Sequence, residues 1–265
     1  MTGIQPHNRG AAATWDAGGR GYDRISATIA DSIEHAVLRL DPKRGERVLD
    51  VATGTGWAAR RCAARGASVV GVDLGAELVA AAAALTKDAG VEFRVADAEG
   101  LPFEEGSFDA VLSTFGVMFA SRPDAAAGEL ARVCRRGGRV AVAAWTPDST
   151  VAGLFQVMRP YRKPPSPAPP SPFEWGRRER VSELLGGAFD LRFEEGTSPL
   201  REPSGEAVWH LFRAGYGPTK SLFESLDAAR QEALQRDFVA FHEGFRTELG
   251  IAMPRHYLLA VGVRR

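Results

Sequence analysis

The sequence predicts an α/β fold with a doubly wound, mostly parallel sheet. From residue 47 to residue 146, short apolar segments alternate with helical segments. Strands that alternate with helices form a parallel sheet with helices packed on both faces. The first apolar segment also ends in a turn of small residues, Ala52-Thr-Gly-Thr-Gly56, directly before a helical run. In such a turn the backbone N–H groups can approach a nucleotide cofactor at the helix N-terminus.

The length and composition of the chain exclude several classes of protein. The 265 residues carry a formal net charge of zero, which argues against a broad nucleic-acid-binding surface. Cys62 and Cys134 fit neither a disulfide framework nor a zinc cluster, so we expect no metal site. The chain has no signal-like apolar segment and no apolar run of membrane-spanning length. We therefore expect a soluble cytoplasmic protein with one large α/β domain, or one such domain with an appended cap.

The N-terminal segment combines a polar stretch with a helix. Residues Met1–Gly21 are rich in Gly, Ala, Asn and Pro, and we expect them to be mobile. Isoleucine and valine recur at helical spacing further on, which predicts an amphipathic helix over Asp23–Leu40. Tyr22 precedes this helix, and two interpretations remain open. It either packs at the helix end or forms part of a lid over the cofactor.

Three aspartates recur at equivalent positions of the predicted sheet. The predicted strands are Arg47–Ala52, Ser68–Val72, Val91–Val95, Phe108–Ser113 and Arg139–Trp145. Asp50, Asp73 and Asp97 each lie at or just beyond the C-terminal end of one of the first three. These ends share one edge of a parallel sheet, where ligands bind. A carboxylate after the second strand can accept both ribose hydroxyls, and one after the third can reach an adenine amino group. A lone Asp there is usually a turn former or helix cap, but three beside a glycine turn favour a cofactor site.

The composition changes after the fifth strand. Residues 159–172 are half proline and predict an extended connector or mobile lid rather than a docking site for an SH3-type partner. Helices are then predicted over residues 177–185, 206–214 and 227–246, and strands over residues 189–195 and 256–263. We divide the chain into an N-terminal lid segment and helix (1–46), a cofactor-binding core (47–146), and cap helices with two C-terminal strands (147–265).

Five segments, in order and with the right spacing, resemble one known family: VLDVATGTG, VVGVDL, FRVADAEGLPF, FDAVLSTFGVMF and ELARVCRRGGRVAVAAW. Together they resemble a class I S-adenosylmethionine-dependent methyltransferase, similar in style to the small-molecule enzymes of ubiquinone and menaquinone biosynthesis. The resemblance implies a Rossmann-like sheet of seven strands in the order 3-2-1-4-5-7-6, with the last strand antiparallel, and a helical cap or lid. It implies S-adenosylmethionine as the cofactor and a small-molecule substrate.

The resemblance also implies roles for individual residues. Asp50 orients the methionine amino group through the loop or a water, Asp73 holds the ribose diol, and Asp97 recognises adenine. With Tyr22 as the lid candidate and Thr53 in the turn, the predicted cofactor site comprises Tyr22, Asp50, Thr53, Gly54, Thr55, Gly56, Asp73, Leu74, Asp97, Ala98 and Thr114. Ala52 departs from the family pattern, where many relatives have Gly. We expect it to be tolerated with a negative φ.

Methyl transfer requires the protein mainly to position the acceptor beside the methyl group. The methyl group of a sulfonium is already activated, so the enzyme can act by orienting the acceptor and excluding water. A general base is needed only if the acceptor must lose a proton. His210 is our first candidate for such a base, with His242 and His256 behind it, although a surface or core role is more common for histidine. The aromatic residues either shape an apolar pocket or form ordinary core, which is the favoured interpretation: Tyr161, Trp175, Phe212, Tyr216 and Phe223.

Three functions remain distinguishable by experiment. The first is methyl transfer to an aromatic or lipid-like acceptor at oxygen or carbon. The second is an NAD(P)-dependent oxidoreductase, which is disfavoured because Asp97 has no role in it. The third is a cofactor-binding regulatory module without catalysis, which the sequence leaves open because no signature residue encodes the chemistry. A homodimer is also left open.

Overall fold

The computed structural model of the chain describes residues 3–86, 90–163 and 169–265. The strands in chain order are β1 Arg47–Val51, β2 Ser68–Asp73, β3 Val91–Val95, β4 Phe108–Thr114, β5 Cys134–Trp145, β6 Phe189–Thr197, β7 Leu200–Glu202, β8 Arg246–Thr247, β9 Gly250–Met253 and β10 His256–Arg264. Within these residues the main sheet has seven strands, in the order β3-β2-β1-β4-β5-β10-β6. β10 is antiparallel to both of its neighbours. The predicted strand order, with the last strand inserted antiparallel, is therefore confirmed.

Helices flank the sheet and extend beyond its ligand-binding edge. They are α1 Arg9–Asp16, α2 Tyr22–Ala27, α3 Ala30–Leu40, α4 Trp57–Ala64, α5 Ala76–Leu85, α6 Pro123–Val133, α7 Thr150–Met158, α8 Arg178–Leu185, α9 Gly205–Gly215, α10 Gly217–Glu224 and α11 Ala228–Glu243. The predicted end of α5 at residues 87–89 lies outside the described residues, as does the middle of the proline-rich segment, 164–168. In the described ranges, no helix is both long enough and apolar enough to cross a membrane.

The central strands consist almost entirely of apolar residues, because helices cover both faces of the sheet. Val48, Leu49 and Val51 of β1 are fully buried, and the matching positions of β4 and β5 are buried with them. Burying a side chain of this size contributes on the order of 2 kcal/mol. The sheet is therefore a rigid platform, and its C-terminal edge holds the loops that follow β1, β2, β3 and β4.

A second hydrophobic core lies in the cap, formed by α7, α9, α10 and α11 with a small sheet of β7, β9 and β8. Phe238 packs against both Trp209 and Phe212 in this core. Trp175, by contrast, is buried in the main core against the sheet. The cap is thus a packed body with its own apolar centre, joined to the sheet by β6 and β10.

The N-terminal segment is structured from residue 6 onward, and the expectation that Met1–Gly21 is mobile was wrong for residues 6–21, while residues 1 and 2 lie outside the described residues. α1 packs against α5 and α10, at the ligand-binding edge of the sheet. Asn8 is only 3% exposed, and its amide donates to the Asp97 carboxylate at 2.9 Å. The composition suggested disorder because the stabilising contacts are made with residues about 90 positions away, which a local reading does not include.

The helix predicted over Asp23–Leu40 is divided into α2 and α3. Thr28 ends α2, and its hydroxyl donates to the Ile25 carbonyl at 2.8 Å. Ile29 then leaves the helical region, with φ of −121°. Arg255 donates to both the carbonyl and the hydroxyl of Thr28. A residue near the C-terminus thus supplies hydrogen-bond donors to Thr28, between α2 and α3.

Candidate active site

The glycine turn after β1 adopts left-handed backbone conformations that leave space beside it. Gly54 has φ of +56° and Gly56 has φ of +83°. A Cβ atom on Gly54 would lie 3.0 Å from the Tyr22 ring, so a side chain there would displace the tyrosine. Gly56 is the N-cap of α4. These two glycines therefore bring the backbone close to Tyr22 and to the start of a helix.

Ala52 has φ of +57°, so the expectation of a negative φ at this position was wrong. A non-glycine residue in this region is strained by about 1–2 kcal/mol. Gly116 leaves room for the Ala52 methyl group in this conformation, because a Cβ on Gly116 would come within 2.2 Å of it. Phe115, at the end of the neighbouring strand β4, is strained in the same way with φ of +58°. Two of the three non-glycine residues with positive φ in the described ranges thus lie at this edge of the sheet, and the third, Asp41, caps α3.

Asp50 is completely buried beneath the turn. Its Oδ2 accepts from the Thr53 hydroxyl at 2.6 Å and from the Ala59 N–H at 3.0 Å, which ties the turn to the first residues of α4. Among the described residues its Oδ1 has no hydrogen-bond partner. Burial raises the pKa of Asp50 to about 7. The carboxylate therefore supports the turn from behind, and it does not line the cavity described below.

Asp73 ends β2 and faces the turn. One of its oxygens accepts from the Gly54 N–H at 2.8 Å, and the other accepts from the Gly75 N–H at 3.0 Å. Burial raises the pKa of this carboxyl, against the lowering effect of these backbone hydrogen bonds. Asp73 consequently fixes the glycine turn and still contributes to the surface of the cavity.

Asp97 follows β3 and binds the N-terminal segment. Its Oδ1 accepts from the Glu99 N–H at 2.9 Å. Its Oδ2 accepts from the Gln5 N–H at 3.0 Å and from the Asn8 amide at 2.9 Å. The carboxylate thus anchors the segment that covers this part of the ligand-binding edge.

A cavity of about 80 Å³ lies between the strand ends and the N-terminal helices. Its lining residues are Asn8, Ala11, Trp15, Tyr22, Ala52, Gly54, Asp73, Leu74, Leu78, Ala96, Asp97, Ala98, Glu99, Thr114, Phe115, Gly116, Val117, Phe119 and Ala120. We call it the cofactor cavity. Three carboxylates, of Asp73, Asp97 and Glu99, lie among these mostly apolar residues. Such a surface suits a nucleoside, because acids can accept from hydroxyl and amino groups while an apolar surface accommodates a ring.

The predicted cofactor residues fall into two groups. Those that line the cavity are Tyr22, Gly54, Asp73, Leu74, Asp97, Ala98 and Thr114. Asp50, Thr53, Thr55 and Gly56 lie behind it and shape the turn. The Thr55 hydroxyl donates to Asp23 at 3.0 Å, and the Trp57 indole donates to the same carboxylate oxygen at 2.6 Å. Because Asp23 follows Tyr22 directly, these bonds also hold the tyrosine over the turn.

A second cavity lies beside the first and is almost entirely apolar. It has a volume of about 50 Å³ and is lined by Trp15, Tyr22, Ile25, Ile29, Phe115, Phe119, Trp145, Val151, Leu154, Phe155, Phe212, Tyr216, Met253 and Arg255. We call it the acceptor cavity, after the role proposed for it below. Trp15, Tyr22, Phe115 and Phe119 line both cavities and form an aromatic wall between them. Phe115 is fixed in this wall by stacking on Trp145, with ring centroids 3.8 Å apart.

None of the three candidate histidines lines either cavity. The His210 side chain is 71% exposed on α9, 3.4 Å from Glu206. His242 is buried in the cap, where its Nδ1 lies 2.8 Å from the Phe238 carbonyl, and burial lowers its pKa to about 4. His256 is exposed and lies 2.9 Å from the Thr197 hydroxyl. The positions of these side chains give no support to a histidine base.

Sequence reasoning missed the contribution of the N-terminal segment and of the residues after β4. Asn8, Trp15, Phe115 and Phe119 all line the cofactor cavity. Trp15 gave a signal, since a tryptophan is unusual in a stretch of small polar residues. Phe115 gave none, because its positive φ follows from packing against Trp145 and not from its residue type. Of the aromatic residues considered for a pocket, Phe212 and Tyr216 line the acceptor cavity.

Comparison with known proteins identifies the family. A family model described as "Methyltransferase domain" matches residues 49–142. The chain is 35% identical over 227 residues to an uncharacterized protein of Mycobacterium tuberculosis, covering 83% of this chain and 82% of that protein. It is 34% identical over 160 residues to the demethylmenaquinone methyltransferase of Beutenbergia cavernae, covering 57% of this chain and 65% of that protein.

Solved structures share the fold. The methyltransferase of a Haloferax volcanii complex with the Trm112 methyltransferase activator superposes with a TM-score of 0.61 at 22% identity, covering 94% of this chain and 95% of that one. The [4+2]-cyclase SpnF superposes with a TM-score of 0.59 at 21% identity, covering 88% and 81%. The family match shows that residues 49–142 form a methyltransferase domain, and with the strand order and the glycine turn it identifies this domain as that of a class I S-adenosylmethionine-dependent methyltransferase, with S-adenosylmethionine as the cofactor.

Proposed function

We propose that this methyltransferase transfers the methyl group to a small aromatic acceptor held in the acceptor cavity. The observation that carries the proposal is the aromatic wall shared by the two cavities. A methyl donor on one side and an acceptor on the other need only a narrow opening between these rings for contact. The apolar lining of the acceptor cavity favours a ring system or another apolar body over a sugar or a nucleotide.

We propose the following roles for the cofactor residues. Asp73 accepts hydrogen bonds from the ribose hydroxyls, and Asp97 with the Ala98 backbone recognises the adenine. Leu74 packs on the adenine face, and the Thr114 backbone contacts the methionine end. Asp50, Thr53, Thr55 and Gly56 act through the conformation of the turn, in keeping with their positions behind the cavity.

In the chemistry that we propose, the protein acts by holding the acceptor atom in position beside the methyl group. S-adenosylmethionine supplies a methyl group bound to a positively charged sulfur, which is already activated for in-line displacement. The protein holds the acceptor atom in line at about 3 Å and excludes water. Trp15, Tyr22 and Phe119 serve this purpose, because they close the space above the strand ends. A phenol or quinol can lose its proton to solvent before or after transfer, so no dedicated base is required.

The relatives support the same class of acceptor. The B. cavernae relative is named for a demethylmenaquinone, an aromatic quinoid compound. We therefore propose phenols and quinols as the first compounds to test, with methylation at oxygen or carbon. We also propose that the enzyme acts in the cytoplasm on a freely diffusing small molecule, and that residues 1–46 and 147–265 cover the cofactor-binding core.

The proposal is tested by incubating the protein with methyl-labelled S-adenosylmethionine and a panel of phenols, quinols, aliphatic alcohols and amines. We expect label transfer to phenols or quinols at least tenfold faster than to the aliphatic compounds. Calorimetric titration with S-adenosylhomocysteine and with NADH provides the control for cofactor binding. Faster transfer to the aliphatic amines would contradict an aromatic acceptor.

A further inference from the structure

The acceptor cavity contains one charged side chain among its apolar lining. Arg255 lies between β9 and β10 and is 4% exposed. Its guanidinium carbon lies 5.5 Å from the centre of the Trp145 ring, which also lines the cavity. An arginine is rarely buried unless it is paired, so its position in an apolar cavity calls for an explanation.

The protein satisfies most of the Arg255 donors but not all of them. Nε donates to the Ser198 carbonyl at 2.9 Å, and Nη1 donates to the Thr28 hydroxyl at 3.1 Å. Nη2 donates to the Thr28 carbonyl and more weakly to the Ser198 hydroxyl. A guanidinium has five N–H donors, so one hydrogen on Nη1 has no acceptor within the described part of the chain.

No carboxylate within residues 3–86, 90–163 and 169–265 lies within 4.0 Å of the Arg255 guanidinium. The acid that acts on it is Asp31, whose carboxylate accepts from the Ser198 hydroxyl and the Ser32 N–H instead. Burial lowers the pKa of Arg255 to about 10, so the side chain is still positive at neutral pH. A buried charge without a directly bonded counterion is costly, and an anionic ligand would offset that cost.

We propose that Arg255 binds a carboxylate of the acceptor, and that the substrates are aromatic carboxylic acids. This inference rests on the proposed use of the acceptor cavity and specifies what enters it. The rings of Trp145 and Phe115 hold the aromatic body, while Arg255 holds the acid at the end of the cavity formed by the β9–β10 connection. A single charged group matches a monoanion better than a phosphate, which carries more charge and more oxygens than one arginine can pair.

The cavity also offers neutral polar groups for such a ligand. The hydroxyls of Tyr22 and Tyr216 make no hydrogen bond to any described residue; Tyr216 is buried, and Tyr22 is partly exposed. Burial raises the pKa of both phenols, so they remain protonated and can donate. Tyr22 lies in the wall beside the cofactor cavity, on the route that the methyl group must take. A hydroxylated aromatic acid would therefore find partners for both of its polar groups.

The test compares a ligand pair that differs in charge but little in shape, 1-naphthoate and 1-naphthamide. Protein saturated with S-adenosylhomocysteine is titrated with each compound by calorimetry. We expect 1-naphthoate to bind at least tenfold more tightly. Arg255→Met should remove this preference while changing the affinity for 1-naphthamide less than twofold. Arg255→Lys, which keeps the charge but loses the planar fork, should retain part of the preference.

The outcomes separate the two proposals. Equal affinity of the wild-type protein for the two probes, or equal losses for both in Arg255→Met, would assign Arg255 a structural role and overturn the inference. Binding of 1-naphthamide alone would overturn the inference and leave the aromatic acceptor cavity intact. Binding of S-adenosylhomocysteine with neither probe would overturn both. Arg213→Met is the matched control, because this exposed cap arginine lies 4.2 Å above the Phe223 ring and outside the cavity, so it should keep the full preference. If Arg255→Met does not fold, the proposal is tested by two results: the preference of the wild-type protein for 1-naphthoate over 1-naphthamide, and the partial retention of that preference in Arg255→Lys.

Discussion

The cofactor cavity and the acceptor cavity share one aromatic wall but have different origins in the chain. Most of the cofactor cavity comes from loops at the ends of β1 to β4, within about 70 consecutive residues, with Asp73 and Asp97 as its charged strand-end groups. The acceptor cavity is assembled from α2, β5, α7, α9 and the β9–β10 connection. Its charged group, Arg255, lies more than 200 residues along the chain from Ile25 on the same surface.

This difference indicates that the sequence specifies the cofactor cavity and the acceptor cavity in different ways. The cofactor side depends on backbone conformation and on carboxylates that hold it, such as Asp73 on the Gly54 N–H. The acceptor side depends on side-chain shape, and rings such as Phe212 line it without lining the cofactor cavity. Substitutions on the cofactor side should therefore weaken cofactor binding, and substitutions on the acceptor side outside the shared aromatic wall should change the choice of acceptor with cofactor affinity preserved. The following predictions are ordered by the size of the expected effect.

Gly54→Val should reduce affinity for S-adenosylhomocysteine at least 100-fold. A β-branched side chain is strained at φ of +56° and would collide with the Tyr22 ring. The measurement is calorimetric titration, with thermal unfolding to verify the fold. Gly128→Val on α6 is the matched control, because an added Cβ meets nothing within 4 Å there. An affinity within threefold of wild type would mean that the turn does not form the cofactor site.

Asp73→Ala should weaken S-adenosylhomocysteine binding by roughly 1–3 kcal/mol, the scale for losing hydrogen bonds to a charged group. The substitution removes an acceptor from the cavity and also releases the Gly54 and Gly75 N–H groups. The same titration measures the effect. Asp190→Ala provides the control, since this exposed aspartate pairs with Arg265 on the far edge of the sheet. Unchanged affinity in Asp73→Ala would rule out its proposed contact with the ribose.

Asp50→Asn should alter the pH dependence of stability. Burial raises the pKa of Asp50 from 3.8 to about 7, so between these values the folded protein keeps a proton that the unfolded chain has released. This group therefore lowers the free energy of unfolding as pH rises. Asparagine does not titrate, so the variant should gain at least about 1 kcal/mol relative to wild type between pH 5 and pH 8.

Chemical denaturation at several pH values measures this change for wild type, Asp50→Asn and the surface control Asp190→Asn. Parallel curves for wild type and Asp50→Asn would show that Asp50 is ionised in the folded protein across the whole range. In that case the negative charge on Asp50 would be stabilised by a group other than the Thr53 hydroxyl and the Ala59 N–H. Both of these bind Oδ2, and Oδ1 has no hydrogen-bond partner among the described residues.

Phe212→Leu should have the smallest effect, and it should fall on the acceptor side. Losing the ring should weaken binding of 1-naphthamide about fivefold, or about 1 kcal/mol, with affinity for S-adenosylhomocysteine within twofold of wild type. Phe212 lines the acceptor cavity but not the cofactor cavity. Phe245→Leu, a partly buried cap residue outside both cavities, serves as the control. Equal losses for both ligands would show that the two cavities are not independent.

Much of the fold could be predicted from the order of the elements. The apolar runs of β1 to β5 and the helices between them indicated the parallel sheet, and the family resemblance supplied the antiparallel position of the last strand. The acids Asp73 and Asp97 were found because their positions at strand ends are local features. The structured N-terminal segment was missed because Asn8 is stabilised by Asp97, and the division at Thr28 was missed because Arg255 satisfies its carbonyl.

By itself, the sequence determined the sheet, the glycine turn and the carboxylates along the strand edge, since periodicity and turn chemistry act over a few residues. Only the tertiary structure decided the positive φ of Ala52 and Phe115, the aromatic wall and the burial of Arg255. These features depend on packing between segments far apart in the chain, where close contact overrides the preference of each residue. The cofactor side of the site is therefore encoded mainly by local sequence, and the shape of the acceptor cavity depends on how the cap packs on the sheet.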